Sequence, residues 1–455
     1  MFKNKIVKRA FYISSSCVLA AILFVIATYL INVHSINQQY YDQYNAKSQV
    51  ALRKFPYPYR AAIAICSDID NTETLEKFLE IQKFLNTREM TSIGKGVGLE
   101  IGNSFFFYEP PDGAISYFLS GPPVMETIIS FIKSGQIDVL HSYGKKSDFT
   151  REDAIKSLAE LKKNNCKIDV WVDHDRSMSN IGDDVTFGLG DHPDSRAYHA
   201  DLTLNYGIKF VWLGRVTMIA GQSVPVTWEA FAGIFDEHHV VRSSINIGKE
   251  IAKNAMGVFG SKKYAMQKDN DLLRIVKLDD GNKVYEFTRF DNFWEGVSTG
   301  GTNKRLAYAL SERTLKRLKD TEGYMVVYTH LGKNSDCMEF ICKETQNALQ
   351  NLAKEFQEGN IYVTTTSKLL NYYVKHKYIR WSFDIKDREM NIYIRNIEDP
   401  IFGSYIPKIQ DLEGMTFYVP NSTIAKIYVD NKRIESVRKN PPDYKRRESL
   451  TITTK

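Results

Sequence analysis

Two carboxylates, Asp68 and Asp70, sit one residue apart in the stretch Ile63-Ala64-Ile65-Cys66-Ser67-Asp68-Ile69-Asp70-Asn71-Thr72. They close an apolar, strand-like run over residues 61–66. Further along, His141 follows Ile137-Asp138-Val139-Leu140, and Asp173-His174-Asp175 follow the run 167–172. Arg289 and Asp291 close the run that begins at Val284, and His330 ends the run 324–329. One Asp or His after a strand is ordinarily a turn or cap residue. Five runs that each end in metal-ligating or acid–base residue types ask for a common explanation. Carboxylates at i and i+2, joined by imidazoles from other segments, suit a mixed His/carboxylate site for one divalent metal ion, Zn or similar. A second carboxylate and a last histidine are then left to act as base and acid.

The elements that would position these groups alternate in type. Strand-like runs at 61–66, 137–140, 167–172, 208–213, 284–290, 324–329 and 361–363 are separated by helical patterns. The first pattern, 73–86, places Leu75, Phe78, Leu79, Ile81, Phe84 and Leu85 at helical spacing; others cover 151–164, near 196–206, 303–319 and 344–356. Thr150 and Asp153 form a capping-box pair at the start of the second. Such alternation predicts α/β units around a parallel, barrel-like sheet whose strand C-termini gather the chemistry. A Gly- and Lys-containing insertion interrupts it at about 217–283. From about 377 the pattern changes. Short strands at 380–383, 391–395, 415–419 and 424–429, split by Asp, Gly, Pro and Asn turns, predict a small antiparallel β-domain over 377–455.

These residues carry a resemblance. From about 61 to 373 the series resembles the NodB-like polysaccharide deacetylases (carbohydrate esterase family 4), as a divergent member. Asp68 and Asp70 match the family's aspartate pair as Asp-x-Asp, which implies a base in Asp68 and a metal ligand in Asp70. His141-Ser142-Tyr143-Gly144 matches the first half of the His-Ser/Thr-x-x-His motif, and implies His141 as a ligand. Lys145 stands where the second histidine is expected; His174 is the candidate to replace it, with Asp148 the weaker substitute. Val327-Tyr328-Thr329-His330 is similar to the family's strand ending Leu-x-His, which implies His330 as general acid. Residues 359–370 look like the closing strand and helix.

The resemblance implies a distorted (β/α) barrel that removes acetyl groups, with one divalent metal ion, from N-acetylated sugars of a cell-surface or exported polysaccharide. Arg176 or Arg289 would hold Asp68 ionised, since an adjacent cation lowers a carboxylate pKa. Asp291 and Trp294 join them as supporting or substrate-binding residues. An exposed position is the commoner fate of an arginine, and core packing that of Trp171, Trp212 and Trp294. Two other readings compete. Asp68-Ile69-Asp70-Asn71-Thr72 also resembles the nucleophile motif of haloacid-dehalogenase-type phosphatases, with Gly182-Asp183-Asp184 as an acidic Mg²⁺ motif, but leaves His141, His174 and His330 without roles. Lys145, if it costs the metal, would leave a non-catalytic polysaccharide-binding or scaffold protein.

The rest of the chain sets the context. Residues 11–33 carry no formal charge, and their 23 residues make roughly 34 Å of helix, enough for a hydrocarbon core of about 30 Å. Lys3, Lys5, Lys8 and Arg9 precede this run, so the tail 1–10 is expected in the cytoplasm, 11–33 in the membrane, and the body in the periplasm or outside the cell. A polar stalk, 34–59, would lead to the deacetylase-like part, 60–376. The tail accounts for four of the formal +6, and the near-neutral remainder argues against a nucleic-acid partner. Expected partners are a polysaccharide, the membrane, and proteins of surface-polysaccharide synthesis or export. Of five cysteines, Cys17 lies in the anchor and Cys66 and Cys166 read as buried thiols; Cys337 and Cys342 are free to pair. The lack of a CxxC pair argues against a structural zinc site.

Overall fold

A computed structural model describes residues 23–38, 40, 50–182, 188–293, 302–333, 337–386, 389–420 and 424–454. The chain divides into two compact units: Met1–Lys47 with Ser223–Asp271, and Ser48–Gln222 with Leu272–Lys455. In chain order the elements begin with α1 (residues 23–38), β1 (Ala51–Arg53), β2 (Ala61–Ser67), α2 (Leu75–Asn86), β3 (Gly102–Phe105) and α3 (Pro122–Ser134). Then come β4 (Ile137–His141), α4 (Arg151–Lys163), β5 (Val170–Val172), α5 (Ala200–Tyr206), β6 (Phe210–Trp212) and β7 (Val216–Thr217). Helices α6 (Trp228–Ala232), α7 (Val240–Val258) and α8 (Ala265–Asp269) precede β8 (Leu273–Lys277), β9 (Lys283–Phe287) and β10 (Arg289–Phe290). Next are α9 (Asn303–Ala309), α10 (Glu312–Thr321), β11 (Tyr324–Thr329), α11 (Lys343–Gln357), β12 (Ile361–Thr364) and α12 (Thr366–Tyr378). The C-terminal part holds β13 (Ile379–Lys386), β14 (Glu389–Asp399), β15 (Gly403–Tyr405), β16 (Thr416–Tyr418), β17 (Ile424–Val429), β18 (Lys432–Arg433), β19 (Val437–Asn440) and β20 (Ser449–Ile452).

The larger unit is built on an 11-stranded sheet, ordered β7-β10-β11-β2-β3-β4-β5-β6-β9-β8, with β12 also on β2. Every neighbour pair is parallel except β8 with β9. The sheet curls into a half-barrel and stays open between β7 and β8. Parallel strands all end on one rim, as the alternation in the sequence requires.

β2 shows why these residues form this layer. All seven of its side chains are buried, and they point alternately to two cores. Ile63 and Ile65 meet Phe84, Leu85, Leu318 and Leu349 from the covering helices. Ala62, Ala64 and Cys66 meet Phe55, Val172, Leu369 and Tyr373 on the other face. Small side chains on that face leave room for α12, whose Leu369, Leu370 and Tyr373 fill the curl. Burying one Leu or Ile side chain stabilises by roughly 1.5–3 kcal/mol, so α12 is held by its apolar face.

Several expectations need correction. The expected helix 303–319 is two helices, because Ser311 caps α10 by accepting from the backbone N–H of Thr314 at 3.3 Å. The expected stalk is partly folded: α1 runs to residue 38, and β1 pairs antiparallel with β16. The C-terminal part is β-rich, in a 5-stranded and a 4-stranded sheet, but not wholly antiparallel, since β14 and β17 run parallel. The insertion carries three helices and β8. Of the expected membrane span 11–33, residues 11–22 lie outside the described residues; among those described, no helix is long and apolar enough to cross a membrane.

A candidate metal centre at the strand ends

Asp68 and Asp70 leave the C-terminal end of β2. The Asp68 N–H donates to the Thr329 carbonyl at 2.8 Å, which fixes the exit of β2 against the end of β11. Asn71 then takes a left-handed conformation (φ 58°), and a turn closes from Thr72 N–H to the Ile69 carbonyl at 3.0 Å. Asn tolerates that region, and the turn brings Asp70 back over the sheet.

His141 ends β4 and His174 follows β5, its neighbour in the sheet. The segments after these strands are tied together by hydroxyls. The Ser177 O–H donates to the Gly144 carbonyl at 2.8 Å, and the Tyr143 N–H donates to Ser179 Oγ at 3.2 Å. Ser142 bonds both Ser177 and Ser179. Gly144 (φ 98°) has to be glycine: a Cβ there would sit 2.6 Å from the Tyr108 carbonyl carbon. The His174 N–H donates to Asn180 Oδ1 at 2.8 Å while the Asn180 amide donates back to the His174 carbonyl. Asp173 is a brace as well. Its carboxylate accepts from Trp171 Nε1 (2.8 Å) and from the N–H groups of Ile181 and Gly182 (both 2.9 Å).

The result is a group of three. Asp70, His141 and His174 each offer a ligand atom within 4.8 Å of the others. His174 Nε2 is 2.9 Å from Asp70 Oδ1, and His141 Nδ1 is 3.6 Å from Asp70 Oδ2. The two imidazoles meet edge to face at 4.6 Å between centroids. Phe106 stacks on His141 at 4.9 Å and sets its edge on His174 at 5.0 Å. The Ser104 hydroxyl lies 3.3 Å from His141 Nδ1. His330 Nε2 approaches Asp70 Oδ2 at 3.5 Å from β11. The His330 and Asp70 side chains keep 12% and 22% exposure, against 5% for His141 and His174, so solvent reaches the group from their side.

Charge follows from these positions. Burial pushes the His141 pKa down to about 3, against the pull of Asp68. Burial also opposes charge on His174, but the hydrogen bond and charge of Asp70 win and raise its pKa. Burial works against the Asp70 carboxylate, yet His174, His330 and His141 hold it well below the usual range. Asp68 behaves alike: burial is outweighed by His141, Arg289 and His330, and its pKa is lowered.

The donor set suits a divalent cation. One carboxylate and two imidazoles are a common set for Zn²⁺ or a similar ion. Asp70 Oδ2 and His174 Nδ1 are buried without a hydrogen-bond partner. A buried polar atom left unpaired costs about 1–3 kcal/mol, and a cation in contact with the carboxylate would remove that cost.

Other expected residues separate cleanly. Arg289 is buried rather than exposed: its Nη1 donates to Asp68 Oδ2 at 3.4 Å, and its guanidinium lies 4.5 Å from the Trp212 ring and 4.8 Å from the Tyr328 ring. Arg176 is exposed in a left-handed turn (φ 50°) and is not the arginine on Asp68. Asp291 accepts from the Phe293 N–H at 2.8 Å, a turn contact. Trp294 lies outside the described residues, as do Asp183 and Asp184. Trp171 and Trp212 are core residues. Asp148 is exposed beside Lys146 and is not in the group. Lys145 is exposed, and its N–H donates to Glu109 Oε2 at 2.9 Å.

Ser104, Phe106, Glu109, Asn180 and Cys66 were not singled out as site residues from the sequence. The Cys66 thiol, kept neutral by burial, donates to Asp68 Oδ1 at 3.4 Å. Its parity with Ala62 and Ala64 on β2 was the available signal. Comparison with family models, with curated proteins and with solved structures finds no match to this chain.

Proposed function

We propose that the protein is a metal-dependent deacetylase of N-acetylated sugars in a cell-surface or exported polysaccharide. The observation that carries this reading is the group of Asp70, His141 and His174 with a second carboxylate, Asp68, 3.9 Å from His141 and a third imidazole, His330, 3.5 Å from Asp70. Asp70, His141 and His174 would hold the ion. When bound, such an ion polarises a carbonyl and lowers the pKa of water.

The remaining work falls to the chain. Asp68, kept ionised by Arg289, takes the proton of the attacking water. The water oxygen bonds the acetyl carbon, the C–N bond breaks, and acetate leaves. His330 gives the amine nitrogen its proton. Phe106 and Ser104 fix the His141 ring so that it does not turn away. This reading uses His141, His174 and His330, which the phosphatase reading leaves idle.

Localisation forms part of the proposal. The charge-free run 11–33 behind a basic tail supports a single-pass anchor with its N-terminus in the cytoplasm. A disulfide joins Cys337 and Cys342, and such bonds persist in oxidising compartments, which supports a body outside the cytoplasm.

The test is acetate release from N-acetylated oligosaccharides by the ion-loaded protein. Asp68→Asn and His330→Ala are expected to abolish release while the ion stays bound. Asp70→Ala is expected to lose both. A wild-type protein that holds the ion yet frees no acetate from any N-acetylated oligosaccharide overturns this reading in favour of a binding or scaffold role.

A further inference from the structure

In the smaller unit, α7 is built inside out. Its buried positions are Ser243, Asn246, Glu250, Asn254 and Gly257, a stripe of polar and small residues at helical spacing. Its outer stripe is apolar. Val241, Ile245, Ala252 and Met256 recur at the same spacing, with Phe259 just past the helix end, and the four large ones are 76%, 55%, 42% and 51% exposed in that order. A helix facing water shows the reverse pattern.

Most of the polar interior is paired, with Asn246 Oδ1 the atom of this stripe that is buried without a hydrogen-bond partner. Lys253 bridges Glu250 at 2.6 Å, the Asn254 amide donates to the Gln267 carbonyl at 2.6 Å, and the Asp236 N–H donates to Ser243 Oγ at 2.9 Å. Internal pairing of polar groups with apolar side chains outside is what an apolar solvent selects. Four further observations name that solvent. The Tyr29 hydroxyl of α1 donates to Asn254 Oδ1 at 2.6 Å, so α7 is joined to the end of the charge-free run 11–33. In that helix Leu23, Phe24, Leu30 and Ile31 are all more than half exposed. From Val240 to Lys268 there are six basic residues and one acidic residue, a balance complementary to anionic headgroups. Trp228 on α6, 67% exposed, is a residue type favoured at the membrane–water boundary.

We propose that α7 lies in the surface of the lipid bilayer beside α1, its outer stripe in the acyl boundary and its basic residues at anionic headgroups. This rests on the anchor reading of residues 11–33. The protein would then be held by a foot of two helices, which fixes the rotation of the smaller unit about the anchor; a single-pass helix alone leaves that free.

The experiment uses the full chain in nanodiscs of phosphatidylcholine and phosphatidylglycerol, in a Cys17→Ser background. A nitroxide is placed in turn at Val241→Cys, Ile245→Cys, Met256→Cys, Lys262→Cys and Ile26→Cys, and its collisions with oxygen and with a water-soluble nickel chelate are compared. All five sites are exposed, so the substitutions leave packing intact. The oxygen-to-nickel ratio is expected to be several-fold higher at Val241, Ile245 and Met256 than at Lys262, and high at Ile26. Nickel-favoured values on α7 with an oxygen-favoured Ile26 overturn the proposal and leave the anchor standing. Shielding of the α7 positions from both reagents overturns it in favour of a protein partner or a second copy. A nickel-favoured Ile26 removes the anchor, and this proposal with it.

Discussion

Replacing Arg289 by Met removes a cation from a site that water does not reach. The arginine and Asp68 side chains are 1% and 2% exposed, and the two charges approach to 3.4 Å. At an effective dielectric constant of about 20, unit charges at that distance attract by about 5 kcal/mol. Breaking a buried pair by deleting one partner costs about 3–5 kcal/mol, because the other charge stays buried. Met retains much of the volume between Trp212 and Tyr328, so little of the loss comes from a cavity. The sign with pH follows from Asp68. Arg289 is one of the groups that lower its pKa, so in the variant that pKa rises. The ionised carboxylate then destabilises the fold at pH 8, and protonation relieves part of the cost as pH falls toward 5. Urea unfolding at both pH values measures this, and Arg289→Met/Asp68→Asn is expected to recover at least half the loss at pH 8. A loss under about 1 kcal/mol that is equal at both pH values would refute the reasoning, and would make Arg289 a packing residue.

Other expectations follow from the same geometry. His174 has a raised pKa and shares a proton with Asp70, so binding of Zn²⁺ displaces that proton; calorimetry in buffers of different ionisation enthalpy should show proton release and affinity falling with pH below neutrality. His174→Ala should weaken Zn²⁺ binding at least about tenfold. Adding Lys145→His should not restore it, because position 145 is exposed; recovery of the metal would show that the loop can turn inward. Asp138, at the opposite end of β4 from His141, has its pKa raised to about 7 by burial and by Asp169 and Glu100, though the Ser367 N–H partly opposes this. Its folded pKa lies above the unfolded value of about 3.9, so the stability it contributes is full below pH 4 and lost as pH rises through 7. Asp138→Asn should therefore flatten stability between pH 5 and 8 by about 2–3 kcal/mol; an unchanged slope in urea unfolding would remove Asp138 as its source.

What the sequence disclosed follows from how its side chains pattern. β11 and β17 have the expected bounds because their runs are apolar, broken only by Lys426 in β17, and end in clear turns. β3 was invisible because its Gly-Asn-Ser-Phe carries no strand signal. Asn103 is buried there because Gln82 on α2 pairs with it at 2.8 Å and 2.7 Å and its amide donates to the Gln136 carbonyl at 2.9 Å, partners that sequence spacing does not announce. Missing β3 concealed Ser104 and the following Phe106, which hold His141 in place. The helix α7 was missed for the opposite reason: its apolar residues mark the outer face, so no inward stripe stands out. His174 was legible as a ligand candidate since it ends an apolar run parallel to that of His141. An exposed position is the commoner fate of an arginine, yet Arg289 shares parity with Tyr285 and Phe287 on the same apolar run. That parity placed it inside, and its ability to stack between rings while pairing a carboxylate let it stay there.

The central claim is that Asp70, His141 and His174 hold one divalent ion. X-ray absorption at the zinc edge, on protein loaded with one equivalent of Zn²⁺, tests it most directly. The expected spectrum shows a low-coordinate shell at about 2.0–2.1 Å with the multiple-scattering signature of two imidazoles, falling to one in His174→Ala. A shell without imidazole scattering, or one unchanged in His174→Ala, would contradict it.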